Sequence, residues 1–257
     1  EISGLQRGHL RYFPVAPGRL EFAAAVRREI LERKPEVVAV ELPAWLEAKY
    51  RLALERLPRL SVIVYPEDAG SDRGVYLVVE PADPFVEALR SAEEIGAEVL
   101  FLEPDAIDRP HLPDLYPDTY ALRTIGYEAY VDAYRVHPQP RNEELSEHAG
   151  AMAYRLQGTD PTRPTHVIIG LNLLDAVLDA MERPQDAPKQ RPFRSADVVN
   201  PHPDCLAEIT QEYPFLQERC EKFRTFQAPA DQIDRRLVQL ALLREAETSY
   251  AAQTGDE

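Results

Sequence analysis

The stretch Val37-Val-Ala-Val-Glu41-Leu-Pro43 joins a short run of β-branched and apolar residues to an acidic residue and a proline. Such a run predicts a buried strand of an α/β sheet, because helix-like sequence lies close to it on both sides. Three similar runs follow, at Val62-Ile-Val-Tyr-Pro66-Glu67-Asp68, Tyr76-Leu-Val-Val-Glu80-Pro81 and Val99-Leu-Phe-Leu-Glu103-Pro104-Asp105. Their alternation with helical segments predicts an α/β fold, with a mostly parallel central sheet flanked by helices.

The acidic residues after these strands define a candidate site. Ligands of open α/β sheets bind beyond the carboxyl ends of the strands, so these acids are expected to line one edge. They are Glu41, Glu67, Asp68, Glu80, Glu103 and Asp105. A carboxylate cluster of this kind binds a divalent cation or takes part in acid–base chemistry. The alternative is that acids beside prolines only start turns or cap the next helix.

The composition limits the classes of partner. The chain has 257 residues and a formal net charge of −15, with a pI near 4.9, which disfavours nucleic acid and anionic membranes. It contains neither an apolar run of transmembrane length nor a signal-peptide pattern at its start. Cys205 and Cys220 lack the spacing of metal ligands and are typical of reduced thiols. We therefore predict a cytoplasmic protein.

The organisation along the chain predicts three parts. Residues 1–183 form the α/β domain, residues 184–203 a proline-rich linker or arm, and residues 204–257 a C-terminal helical appendage. The last helical segment, Asp231–Gln253, alternates apolar and charged residues in the pattern of an amphipathic helix. This appendage either packs on its own domain or docks to a partner. The sequence opens with Glu1, which predicts a trimmed or processed chain.

Several common catalytic motifs are absent from the sequence. It has no Gly-x-Ser-x-Gly, P-loop, Gly-x-Gly-x-x-Gly or His-Glu-x-x-His pattern. No two of its six histidines are spaced to share a metal on one helical face. His111, in a proline-rich loop, is the histidine expected to reach the acidic edge, whereas His148 is expected to pack within its helix or to cap it.

Two further candidates come from predicted helix starts. Arg141 precedes Asn142 and two glutamates at the start of a helix, where it either binds an anion or simply accompanies a helix cap. Asn172 follows the strand His166–Gly170, so its amide is expected near Glu41 and Glu103. Oxygen ligands would select manganese, magnesium or calcium. The candidate ligands are Glu41, Glu80, Glu103, Asp105 and His111.

Several short motifs, taken in their order, resemble a known superfamily. They are Phe13-Pro14-Val15, Val40-Glu41-Leu42-Pro43, Phe101-Leu102-Glu103-Pro104, Arg141-Asn142 with Met152-Ala153, and Ile168-Ile169-Gly170. This order resembles the erythromycin-esterase, TraB and ChaN superfamily, above all a bacterial branch whose first strand carries Phe-Pro-Val-Arg-His-His-Ser-Pro. The similarity covers about residues 9–181. It implies that Glu41, Arg141 and Asn172 occupy the position of the family's active site.

The sequence departs from this superfamily where the active members carry histidines. Ala16-Pro17-Gly18-Arg19-Leu20 replaces the histidine-bearing string, and Gly170-Leu171-Asn172-Leu173 replaces Gly-x-x-His. Without those bases or metal ligands the family mechanism is expected to fail. The leading hypothesis is a catalytically degenerate interaction module with no cofactor, and the alternative is a hydrolase with a carboxylate-bound divalent cation. The resemblance implies a protein partner, an AAA+ ATPase or a von Willebrand-type domain protein of the same bacterial system.

Overall fold

A computed structural model describes residues 5–67, 72–104, 115–137, 139–189, 195–225 and 233–254. Its strands are β1 (Gln6–Arg7), β2 (Leu10–Val15), β3 (Val37–Pro43), β4 (Ser61–Pro66), β5 (Gly74–Val79), β6 (Glu98–Glu103), β7 (Thr165–Gly170) and β8 (Asp197–Val199). Its α-helices are α1 (Leu20–Arg33), α2 (Glu47–Glu55), α3 (Pro84–Ile95), α4 (Leu122–Ile125), α5 (Tyr127–Arg135), α6 (Glu143–Gln157), α7 (Leu171–Ala180), α8 (Leu206–Ile209), α9 (Pro214–Thr225) and α10 (Arg235–Thr254). Short 3-10 helices precede α2, α4 and α8, at Ala44–Leu46, Thr119–Ala121 and Pro203–Cys205.

The main sheet has the strand order β1-β2-β7-β3-β6. Strands β2, β7, β3 and β6 run parallel, and only β1 is antiparallel to its neighbour. The central strands are almost wholly buried, with Val38, Val40 and Ile168 fully shielded from solvent. Continuous apolar runs are what a parallel sheet covered by helices requires. The predicted α/β fold, with a mostly parallel central sheet flanked by helices, is confirmed.

Local sequence explains where α3 begins and ends. The Asp83 carboxylate accepts hydrogen bonds from the backbone N–H groups of Phe85 and Val86, and Pro84 occupies the first turn, where no intrahelical N–H partner is needed. Gly96 ends the helix with a φ of 73°, a left-handed conformation that glycine adopts without steric cost. Between these ends, α3 packs against α1 and β3.

The prediction that all the acid-terminated strands share one sheet is wrong. Strands β4 and β5 form an antiparallel hairpin, and β8 pairs with the other edge of β4, so a separate sheet has the order β5-β4-β8. Strand β8 comes from the segment predicted to be a linker or arm. Periodicity identifies a strand but not its partner, which is why the sequence assigned β4 and β5 to the wrong sheet.

Two helical predictions need correction in detail. The helical pattern of residues 119–134 predicts one helix, but the structure has a 3-10 turn followed by α4 and α5, which are separated at Gly126, where φ is 85°. The pattern of residues 204–226 also predicts one helix, whereas α8 and α9 are separate. None of the described helices is long and apolar enough to cross a membrane.

Candidate functional site

The acidic edge of the main sheet is formed by the carboxyl ends of β3 and β6. These strands are parallel neighbours, and Glu41 and Glu103 lie at their ends, 5% and 4% exposed. Between the pairs Val40–Phe101 and Pro43–Glu103 the register shifts, so that β3 has one residue more than β6. A bulge of this kind re-aims side chains at a strand end. The structure thus places two buried carboxylates on adjacent strands.

Glu41 is held by the start of α7. Its Oε2 accepts a hydrogen bond of 2.5 Å from the backbone N–H of Gly170, the last residue of β7. A Cβ at Gly170 would lie 2.7 Å from Oδ1 of Asn172 and 3.1 Å from Oε2 of Glu41. A larger residue at this position would displace both side chains, because an oxygen atom 2.7 Å from a carbon overlaps it. Glu41 and Asn172 are therefore brought together around Gly170.

Glu103 has a neighbour that the sequence prediction did not include. Nε2 of His148, on α6, lies 3.8 Å from Oε1 of Glu103, and both side chains are buried. His148 was expected to pack or to cap a helix, and the sequence carries no signal that it would face an acid on β6. The contact joins residues 45 positions apart in the sequence, so only the packing of α6 on β6 reveals it. An imidazole beside a carboxylate can exchange or hold a proton.

Glu80 lies at the end of β5, in the second sheet, and it binds the C-terminal appendage. Its carboxylate accepts hydrogen bonds from the backbone N–H groups of Gln211 and Glu212 and from the side chain of Gln217. Burial raises the pKa of Glu80, the nearby charges of Asp83 and Glu212 also raise it, and the backbone hydrogen bonds oppose both effects, so that the pKa is about 7. The expected grouping of Glu80 with Glu41 and Glu103 on one sheet edge is therefore not observed.

Arg141 is not part of this buried edge. Arg141 is largely exposed, and its guanidinium forms an ion pair of 2.6 Å with Asp179 on α7. Its neighbour Asn142 caps α6 by accepting a hydrogen bond from the N–H of Leu145, which is the capping alternative given for this segment. Asp105 and His111, like Asp68, lie outside the described residues. Among the residues that are described, no group of three or more His, Cys, Asp or Glu side chains could hold a metal ion.

A second cluster of charges fastens α10 to the α/β domain. Arg235 donates to Oε1 of Glu21 on α1 at 2.8 Å and to Oε2 of Glu212 at 2.8 Å. Burial would raise the pKa of Glu21, but the hydrogen bonds and the charge of Arg235 lower it below its usual value. The hydroxyl of Thr119 also donates to Glu21, at 3.0 Å. Sequence analysis missed this cluster, because its members lie far apart in the chain.

Beyond Arg235, α10 is largely exposed. None of its described residues is buried, although it has 20 residues. Four of its large apolar side chains are exposed, from 49% for Leu240 to 70% for Tyr250. We call one line of exposed residues the α10 stripe, and it consists of Arg236, Leu240, Leu243, Glu247 and Tyr250. Another side of the helix contacts the body of the protein, through Val238 and through the pairing of Glu245 with Arg219.

Comparisons of the chain with models of protein families, with curated proteins and with solved structures find no match. The resemblance to the erythromycin-esterase, TraB and ChaN superfamily therefore stays a prediction.

Proposed function

We propose that the protein is a binding module that docks another protein through α10. The observation that carries the proposal is the exposure of Leu237, Leu240, Leu243 and Tyr250 on a helix without buried residues. Helices of globular proteins normally bury their apolar side chains in their own core. A contiguous set of exposed ones marks an interaction surface. The α10 stripe, with Leu237 beside it, is that surface.

The attachment of α10 fits a docking role. Arg235, at the first position of the helix, forms ion pairs with two buried glutamates, so the base of α10 is fixed to the domain. Arg219 and Glu245 hold the helix against α9 further along. A helix that is fixed along one side loses less conformational entropy on binding than a free segment would. The domain therefore holds the α10 stripe in a fixed position for binding.

The resemblance supplies the class of partner. It implies a catalytically degenerate member of a bacterial multi-gene system, in which an AAA+ ATPase or a von Willebrand-type domain protein is the partner. Glu41 and Glu103 would then serve the structure of the domain and not a reaction. A cytoplasmic location belongs to the same proposal, and the free cysteines Cys205 and Cys220 support it, because disulfides are rare there.

The test is a binding measurement with a disrupted stripe. Biolayer interferometry would compare the wild-type protein with a Leu240→Asp/Leu243→Asp variant, against the two proposed partners, an AAA+ ATPase and a von Willebrand-type domain protein. We expect the double variant to bind at least about tenfold more weakly, since each buried Leu contributes about 1.5–3 kcal/mol. Leu52→Asp is the matched control, because Leu52 is an exposed leucine on α2. Equal binding by the double variant and the wild type would contradict a role for α10.

One observation favours a second candidate, a divalent-metal-dependent hydrolase at the acidic edge. The buried contact between Glu103 and His148 offers a proton-transferring pair beside Glu41. Manganese, magnesium or calcium would be held by Glu41 and Glu103, with Asp105 and His111 as the further predicted ligands. Calorimetric titration with each cation tests this function. Loss of binding in Glu41→Gln and Glu103→Gln, but not in the control Glu55→Gln, would support it, and no heat of binding in the wild type would contradict it.

A further inference from the structure

The α10 stripe has the spacing of a helix that pairs with another helix. Its residues follow one another at intervals of four, three, four and three positions, the repeat of a coiled-coil seam. Leu240 and Leu243 lie in the middle, with Arg236 on one side and Glu247 on the other. The stripe is therefore apolar at its centre, basic towards the start of the helix and acidic towards its end.

The two charges of the stripe are available to a partner. Within the part of the chain that the structure describes, neither Arg236 nor Glu247 forms an ion pair inside the protein, and both residues are exposed. The guanidinium of Arg236 lies over the ring of Tyr120, 4.5 Å from its centroid, which fixes the position of the charge. A binding surface thus carries one oriented cation and one anion, 11 positions apart on the same side of a helix.

We propose that the partner of the α10 stripe is the α10 stripe of a second copy, in antiparallel orientation. The inference rests on the proposed function, because it uses the same docking surface and places a second copy there instead of the ATPase or the von Willebrand-type protein. A two-fold axis that passes between Ala241 and Leu242 places Leu240 of one copy opposite Leu243 of the other. The same axis places Arg236 opposite Glu247. By symmetry, each of these pairs occurs twice.

Charge complementarity selects this arrangement among the possible pairings of two copies. In a parallel pair, Arg236 would face Arg236 and Glu247 would face Glu247, and like charges at such positions are destabilising. The antiparallel pair replaces both repulsions by attractions and keeps the leucines together. Arg244, the other basic residue on this side of the helix, then faces the uncharged Gln239. The sequence of α10 is complementary to itself only in the antiparallel direction.

The size of the contact predicts a weak dimer. The overlap runs from Arg235 to Thr248 and spans about 21 Å at 1.5 Å per residue. An interface below about 1,000 Å² is typical of transient complexes, so we expect a dissociation constant between about 1 and 100 µM. The net charge of −15 adds a repulsion between copies. It is largely screened at about 0.15 M salt, where the Debye length is about 8 Å.

Sedimentation velocity on the full chain, from about 1 to 300 µM, tests the pairing. The wild type is expected to change from monomer to dimer over this range. Arg236→Glu and Glu247→Arg should each weaken the dimer at least about tenfold, because each substitution creates two like-charge pairs. An equimolar mixture of the two variants should associate like the wild type, since every charge of one variant then faces an opposite charge of the other.

The controls separate a loss of pairing from a loss of folding. Glu218→Lys and Lys222→Glu reverse charges on the neighbouring helix α9, outside the stripe, and should leave the dimer unchanged. Far-ultraviolet circular dichroism should give the same spectrum for all variants. Restoration by mixing is itself a control, because two misfolded proteins would not repair each other.

Each result decides between the inference and the proposed function. A wild type that stays monomeric at the highest concentration overturns self-pairing, and so does a mixture that fails to restore the dimer. If the Leu240→Asp/Leu243→Asp variant nevertheless loses binding to the ATPase or to the von Willebrand-type protein, the docking function holds with that occupant. If neither association depends on the stripe, both proposals fall.

Discussion

Arg235 and Glu21 form a two-point ion pair that joins the start of α10 to α1. Nε lies 2.8 Å from Oε1 and Nη2 lies 2.9 Å from Oε2. The same guanidinium also bridges to Glu212, and both glutamates are almost completely buried. One arginine is therefore the shared counter-charge of two buried carboxylates. Arg235 is therefore the residue that joins the start of α10 to the α/β domain.

Replacement of Arg235 by alanine should destabilise the protein by about 3 kcal/mol, because it leaves two buried carboxylates without a counter-charge. Urea unfolding at neutral pH measures the change. The triple variant Arg235→Ala/Glu21→Gln/Glu212→Gln should recover part of the loss, since it removes the buried charges as well. Arg244→Ala, an exposed arginine of the same helix, is the control and should change stability by less than about 0.5 kcal/mol. If Arg235→Ala is as stable as Arg244→Ala, the Arg235 cluster contributes nothing to the free energy of unfolding.

The buried Glu80 should give the protein a pH-dependent stability. Its folded pKa, about 7, is above the usual 4.5, so the folded state holds the proton more tightly. The stabilisation by protonated Glu80 is fully present below its unfolded pKa of about 4.5 and is lost as the pH rises through about 7. Between about pH 5 and pH 8, the wild type should lose about 2 kcal/mol relative to Glu80→Gln.

Urea unfolding at several pH values, with the exposed Glu93→Gln as control, measures this difference. The control should follow the wild-type pH profile. A constant difference between the wild type and Glu80→Gln would mean that Glu80 ionises at the same pH in the folded and unfolded states.

Glu29 should have the opposite effect, at acidic pH. Burial would raise its pKa, but the hydrogen bonds from His166 and Arg11, together with their charges, lower it to about 2. The stabilisation is present above the unfolded pKa of about 4.5 and is lost as the pH falls through about 2. As the pH falls from about 5 to below about 2, the free energy of unfolding of the wild type should therefore decrease by about 3 kcal/mol relative to that of Glu29→Gln.

Far-ultraviolet circular dichroism with urea at each pH measures the Glu29 effect. The exposed Glu32→Gln, on the same helix, is the control and should lose stability in acid as the wild type does. If Glu29→Gln also follows the wild-type curve down to pH 2, the ion pairs to Arg11 and His166 do not stabilise the fold.

Gly170→Ala should disturb the acidic edge. The added methyl group would lie 2.7 Å from Oδ1 of Asn172, so the Asn172 and Glu41 side chains must move. We expect a loss of about 1–3 kcal/mol from overpacking. Gly158→Ala is the matched control, because the nearest atom to its Cβ would lie at an ordinary 3.5 Å. Equal thermal stability of the two variants would show that the Asn172 and Glu41 side chains can move without a loss of stability.

The sequence was informative where local pattern decides the structure. Strands β3, β6 and β7 lie within about two residues of the apolar runs that predict them, Val37–Pro43, Val99–Glu103 and His166–Gly170. The alternation of apolar residues depends only on near neighbours in the chain, so it can be read without knowing the fold. The same applies to Asn142 and to Gly96, whose capping roles are set by the backbone within one turn.

The candidate site was predictable only in part. Glu41, Glu103 and Asn172 follow strands of the main sheet, and their position at one edge follows from parallel pairing. Glu80 follows an equally good strand, but that strand belongs to another sheet. Residue type and position after a strand are the same in both cases, so nothing in the local sequence distinguishes them.

The sequence by itself determined the α/β class, the elements of the main sheet and the amphipathic character of the last helix. Only the tertiary structure decided that β4 pairs with β5 and β8, that His148 meets Glu103, and that Arg235 joins Glu21 to Glu212. The physical reason is the range of the interactions. Helix periodicity, caps and strand alternation depend on a few adjacent residues, whereas these contacts depend on which distant surfaces pack together when the chain closes its core.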